Sequence, residues 1–248
     1  MITIKTKEEL EIMREAGRIL ATALNKIAKM AKPGVTTLEL DKAAEAFILS
    51  MGAKPGFKGY DGFPFSLCAS VNENIVHGLP SNYALKEGDI VGLDLGILYK
   101  GYYSDMCVTV PVGKVSYEAK RLLDVTKKSL RLGIKKAKIG NTVGDIGNTV
   151  QRFVEDQGFG VVRDLCGHGI GRDLHEDPKI PNYGVRGSGE KLVEGMVICI
   201  EPMVTAGSYQ LKKSTDGYGY ATVDNSLAAH FEHTIVITKN GPKILTEL

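Results

Sequence analysis

The sequence predicts an α+β fold in two similar halves, with helices packed outside a curved, mostly antiparallel sheet. Three observations carry that expectation. One stretch repeats at a nearly fixed offset, each half opens with an amphipathic helical pattern, and strand-forming runs follow the helices in both halves.

The repeat comes first, because self-similarity constrains the whole architecture. Lys32, Gly34, Thr36, Phe47 and Gly52 match Lys138, Gly140, Thr142, Phe153 and Gly158 at an offset of 106. Further on, Leu85, Glu87 and Gly88 lead to Asp94, while Leu192, Glu194 and Gly195 lead to Glu201, at an offset of 107. The halves should span about 1–110 and 111–248. No low-complexity linker separates them, so one domain with a shared core is expected.

Helical spacing places Leu10, Met13, Ile19, Leu20, Leu24 and Ile27 on one face of a first helix. Leu122, Leu123, Leu130 and Ile134 trace its counterpart. In each half a Gly-x-Thr step then opens a second helix, and Thr36 followed by Glu39 has capping-box spacing.

Composition narrows the class. With 43% hydrophobic and 24% charged residues, the chain reads as an ordinary globular protein. No apolar run approaches the ~20 residues of a membrane helix, and residues 1–32 lack the apolar block and cleavage site of a secretory signal. A cytoplasmic protein that starts directly at its first helix, with no amino-terminal extension, is expected. Net charge of only +2 gives no footprint for specific nucleic-acid binding. It leaves transient ribosome association open without specifying it, and a monomer is expected. Cys68, Cys107, Cys166 and Cys199 form no CxxC pair, so they read as reduced, packed thiols.

Residues 89–110 read as a hairpin turning at Lys100 and Gly101, which pairs Tyr99 with Tyr102 and Asp94 with Cys107. Asp105 then lies diagonally beside Asp94 on one face, about 7–8 Å away at the backbone. Gly92 and Gly96 flank Asp94 and leave room there, while Val91, Leu93, Leu95 and Ile97 face a core. Carboxylates are disfavoured in strands, and a half-buried pair repels itself unless a cation compensates. In the second half Glu201 ends the apolar run MVICIEPMV, and Glu232 lies within AHFEHTIVIT. Four such carboxylates and one neutral histidine can hold two divalent cations and balance their charge. Oxygen-rich ligation of this kind suits Mn²⁺, Fe²⁺ or Co²⁺.

Of the five histidines, His168 stands among three glycines in CGHGIGRDLHEDP, which opens access to it. The ordered set VNENIVHGLP, DLGILYKGYYSD, CGHGIGRDLHEDP, IEPM and FEHTIVIT resembles methionine aminopeptidase, type I, over essentially the whole chain. That resemblance implies the pita-bread fold, with residues 1–248 as a single catalytic domain. It implies Asp94, Asp105, His168, Glu201 and Glu232 as ligands of two divalent ions (Co, Mn, Fe, Zn or Ni), with Asp105 and Glu232 bridging. It also implies His77 and His175 as substrate-facing histidines. Tyr60, Phe63, Cys68 and Tyr218 match the lining of a methionine pocket, and Phe57 and Leu174 match it with changed side chains. His230 and His233 read as structural. Only 33 residues separate His168 from Glu201, which leaves no room for the insertion of type II enzymes.

The expected chemistry is metal-assisted hydrolysis that removes methionine from nascent polypeptides. Glu201 would carry the proton, while His77 and His175 would donate hydrogen bonds. Two rivals share the fold: an Xaa-Pro-type aminopeptidase, and a binding protein without catalysis.

Overall fold

The computed structural model describes residues 2–248. The first half runs α1 (Lys7–Met30), α2 (Thr37–Ser50), β1 (Lys54–Pro55), a 3-10 turn (Tyr60–Gly62), β2 (Leu67–Val71), β3 (Asn74–Val76), β4 (Ile90–Tyr99) and β5 (Tyr102–Pro111). The second runs α3 (Tyr117–Lys136), α4 (Val143–Asp156), β6 (Gly160–Val161), β7 (Gly167–Gly169), β8 (Glu176–Ile180), β9 (Val197–Ile200) and β10 (Met203–Thr205). It closes with β11 (Leu211–Lys213), β12 (Tyr220–Thr222), β13 (Ala228–His230), β14 (His233–Thr238) and β15 (Gly241–Ile244). Among the described residues every strand ladder is antiparallel.

Helix α1 begins at Thr6, whose hydroxyl accepts from the Glu9 amide while the Glu9 carboxylate accepts from the Thr6 amide. Two orphan N–H groups are satisfied at once. Thr36 with Glu39 and Thr142 with Asp145 build the same box at α2 and α4. The inward face of α1 buries Met13, Leu20, Leu24 and Ile27, whereas Leu10 and Ile19 are only partly covered. Gly17 also faces inward, and a Cβ there would run into the carbonyl of Leu245. This allows a clean test, because helix propensity alone predicts that Gly17→Ala adds about 1 kcal/mol. The collision reverses the sign. Gly17→Ala should cost about 2 kcal/mol and lower the thermal midpoint by roughly 4–8 °C. A midpoint that rises would show that the carboxyl-terminal segment is not seated against α1.

The hairpin β4–β5 has the expected register: Tyr99 pairs with Tyr102, Asp94 with Cys107 and Gly96 with Asp105. Its turn residues Lys100 and Gly101 both have positive φ, 48° and 83°, the geometry that matches the twist of two-residue hairpins. Val91, Leu93, Leu95 and Ile97 are fully buried on the helix-facing side.

The two halves repeat in their hydrogen bonds as well as their residues. A bridge joins Thr36 to Ala84, and its counterpart joins Thr142 to Lys191. Leu85 donates to the Val35 carbonyl at 2.9 Å, and Leu192 donates to the Asn141 carbonyl at 2.9 Å. The offset passes from 106 to 107 between the two sides of these bridges, so the extra residue falls in the connecting segment and leaves the paired backbone undisturbed.

Two apolar clusters each centre on one half, and two further ones draw residues from both halves, as a shared core requires. Of the first two, one gathers α1, α2, β2 and β4; the other gathers α3, α4, β9 and β14. A third cluster, containing Phe57, Phe63, Cys68 and Leu174, lies beside the seam between the halves.

Candidate metal centre and substrate pocket

Three strands and two strand-end positions deliver the polar groups. Asp94 and Asp105 come from the site face of the hairpin, where Asp94 pairs across β2 with Cys68. His168 sits in β7, Glu201 immediately follows β9, and Glu232 occupies the step between β13 and β14. None of the five is more than 9% exposed. Carboxylate oxygens of Asp94, Asp105 and Glu232 lie within 4.8 Å of one another. Glu201 Oε1 lies 3.7 Å from His168 Nε2.

Two threonines lock the halves together around this cluster. Thr234 of β14 accepts from the Asp105 amide at 3.1 Å and donates to the Asp105 carbonyl at 2.7 Å. Thr109 of β5 does the same for His230, accepting from its amide at 2.9 Å and donating to its carbonyl at 2.7 Å. The Glu232 amide donates to the Cys107 carbonyl at 2.9 Å. Backbone positions on both sides are therefore fixed before any side chain is placed.

The electrostatics are those of an anionic cluster. Burial pushes Asp94 up to about 7, with Glu201 adding to the rise and His230 opposing it. Burial, then Asp94 and Glu201, hold Asp105 well above the ordinary carboxylate range. Burial, then Asp105, Glu201 and Asp94, do the same to Glu232. Asp94 Oδ1, Asp105 Oδ1 and Glu232 Oε1 are buried without a hydrogen-bond partner among the described residues. Buried polar atoms are rarely left so. Orphaned oxygens from acids that repel one another suit divalent cations. The histidine fits too. His168 Nδ1 lies 2.8 Å from the Gly169 carbonyl, which can only accept, so Nδ1 carries the proton and Nε2 is free to ligate.

His77 and His175 stand at the mouth. His77 holds a left-handed backbone, φ 56°, which a non-glycine residue adopts only when its surroundings impose it. The next residue, Gly78, packs so closely on the Ala69–Ser70 backbone that a Cβ would collide with it. His175 lies edge-on to His168, with ring centroids 4.5 Å apart. Its Nδ1 is 2.9 Å from the Tyr60 hydroxyl. Desolvation, then His168, pushes the His175 pKa down to about 4, so the ring is neutral at pH 7. In the tautomer in which the Tyr60 hydroxyl donates to Nδ1, the ring proton is on Nε2, where it can serve a substrate.

A cavity of about 210 Å³ lined by Phe57, Tyr60, Phe63, Cys68, Leu174 and Tyr218 reaches the carboxylates. Tyr218 packs edge-on to Phe63 at 5.6 Å and donates to the Gly62 carbonyl at 2.9 Å. Burial, then the neighbouring acids, holds the Cys68 thiol well above its ordinary range, so it lines the wall as a neutral group. The expectation that Gly96 leaves room beside Asp94 is corrected. A Cβ on Gly96 would lie 2.5 Å from Phe57 Cε1, so the Phe57 ring takes up that space. This is how the wall admits a large residue at 57. On the other side the site meets a wider groove of about 960 Å³ that includes Lys5, Glu9, Tyr102 and Arg172.

Sequence reasoning missed one residue of the site. His230 is 2% exposed, and its Nε2 lies 3.4 Å from Glu201 Oε2. The available signal was period-two spacing from Glu232, which puts both on one face of an extended segment. His233, by contrast, lies 2.9 Å through Nδ1 from Thr246 Oγ1, away from the cluster, in keeping with a structural role.

A profile of metallopeptidase family M24 matches residues 11–239. A methionine aminopeptidase from Clostridium acetobutylicum is 51% identical, over 99% of this chain and 99% of its own. Methionine aminopeptidase 1 from Bacillus subtilis is 50% identical, with full coverage of both chains. The crystal structure of a methionine aminopeptidase from Thermotoga maritima superposes with a TM-score of 0.99 at 46% identity, over 100% of each chain. The architecture is that shared pita-bread fold, with two pseudo-symmetric halves.

Proposed function

The chain belongs to metallopeptidase family M24, and on that premise we propose that it removes the amino-terminal methionine from nascent polypeptides, acting as one catalytic unit over residues 1–248. The observation that carries the reading is the buried set of Asp94, Asp105 and Glu232, with oxygens orphaned together beside a small aromatic-lined pocket.

Asp94, Asp105, His168, Glu201 and Glu232 would together hold two divalent cations. Co²⁺, Mn²⁺, Fe²⁺, Zn²⁺ and Ni²⁺ all suit one imidazole among carboxylates. Such ions, when bound, supply Lewis-acid activation of a water and of the scissile carbonyl.

The protein's own groups do the rest. Phe57, Tyr60, Phe63, Cys68, Leu174 and Tyr218 accept the methionine side chain, the aromatic rings offering its sulfur about 0.3–1.5 kcal/mol. The smaller pocket takes one side chain, and the wider groove takes the polypeptide beyond it. Glu201 accepts the proton of the attacking water and returns it to the leaving amine. His77 and His175 donate N–H bonds to the substrate amide and to the oxygen that gains charge, a contribution of about 10²–10³ in rate per donor. The substrate's amine fits among the carboxylates, which restricts cleavage to the first residue. We place the protein in the cytoplasm as a monomer that associates transiently with the ribosome; among the described residues, no helix is long and apolar enough to cross a membrane.

The test is a substrate panel. Met-Ala-Ser should be cleaved about 10–200-fold faster than Leu-Ala-Ser, because a single ill-fitting side chain in an apolar pocket costs about 1–3 kcal/mol. Xaa-Pro peptides should be inert. Faster cleavage of Xaa-Pro peptides would replace this reading by that of an Xaa-Pro aminopeptidase, and no cleavage with any divalent metal would leave a binding protein.

A further inference from the structure

We propose that His230 is a positioning residue for this reaction, its Nε2–H donating to Glu201 Oε2 and holding that carboxylate in the orientation that takes up and releases the proton. The inference rests on the reading of Glu201 as proton carrier.

Geometry divides the two oxygens of Glu201 between two imidazoles. Oε1 lies 3.7 Å from His168 Nε2, and Oε2 lies 3.4 Å from His230 Nε2. A carboxylate that must both meet a cation and exchange a proton gains from having one oxygen assigned to each task. Held at a single point, it would rotate about its terminal bond, since that torsion is broad.

His230 is built to stay where it is. Thr109 binds both its amide and its carbonyl, so the backbone cannot draw the ring out of the site. The side chain is 2% exposed, and both ring nitrogens lack a hydrogen-bond partner among the described residues. Leaving a buried imidazole unsatisfied is costly, and packing alone is better served by an apolar side chain of similar volume. At 3.4 Å the contact is longer than a formed N–H···O bond. Hydrogen bonds at reaction sites often tighten only when substrate and transition state are bound.

The experiment compares His230→Ala with His230→Gln, whose amide retains an N–H donor. For each we would measure kcat and KM on Met-Ala-Ser with metal present, bound metal per chain, and the thermal midpoint of chelated protein. His230→Ala should lower kcat by about 10–100-fold, as loss of an outer partner of a metal site does. KM should stay within about twofold and metal content should be unchanged. His230→Gln should recover kcat to within about fivefold of the parent. The inference is overturned if His230→Ala keeps its kcat, if Gln fails as badly as Ala, or if metal is lost, which would make His230 a ligand. Should Ala prevent folding, His230→Leu fills the space without a donor and is held to the same criteria. Full activity in Glu201→Gln would defeat the proton-carrier reading itself. Unchanged kcat in His230→Ala, with Glu201→Gln inactive, would defeat only this inference.

Discussion

Glu201→Gln should reduce kcat on Met-Ala-Ser by about 10³-fold or more, the upper part of what one general acid–base group supplies. The substitution keeps shape and volume, but the amide cannot accept and return a proton. It also removes one negative charge from the cation site. Metal content must therefore be measured alongside the rate. With metal retained, the loss of kcat belongs to proton transfer; with metal lost, Glu201 acts chiefly as a ligand. Near-normal turnover would defeat the mechanism outright. KM should change far less than kcat, because Glu201 does not line the aromatic end of the pocket.

Chelated protein should lose stability as pH rises from about 5 to 8, the reverse of the usual behaviour of paired surface acids. Asp94 is lifted from 3.8 to about 7, first by burial, and Asp105 and Glu232 are lifted as well. Between those values the folded chain keeps protons that the unfolded chain has released. Stability from such raised groups is complete below the unfolded pKa and drains away as pH climbs through the folded one. One pKa unit corresponds to about 1.4 kcal/mol, so Asp94 alone amounts to a few kcal/mol. The thermal midpoint should then fall by roughly 10 °C across this range. Adding Mn²⁺ or Co²⁺ at pH 8 should restore it, because a cation that binds only the folded, deprotonated cluster adds its binding energy to stability. A midpoint that is flat with pH in chelator would mean that the acids do not share a buried site.

Both predictions rest on residues that were readable in the sequence, and the reason is local chemistry. The hairpin register followed from a two-residue turn and period-two alternation, and those alone brought Asp105 beside Asp94. The repeat showed that Glu201 stands where Asp94 does, because equivalent backbone pairs recur at Thr36–Ala84 and Thr142–Lys191. His230 was not readable. Its importance comes from a β5–β13 contact between residues 121 apart in the chain, in which Thr109 clamps its backbone. The same holds for Phe57, whose ring occupies space that Gly96 was expected to leave open.

By itself, then, the sequence determined element types, the hairpin and the twofold plan, since these depend on neighbours, periods and spacing, while the motif resemblance singled out the acid–imidazole set. Tertiary structure alone decided which apolar residues of the two halves gather in common clusters, and that a second imidazole faces Glu201. Those outcomes depend on which side chains meet across the halves. Distance in space between residues far apart in the chain is set by the packing of whole elements, and no local pattern encodes it.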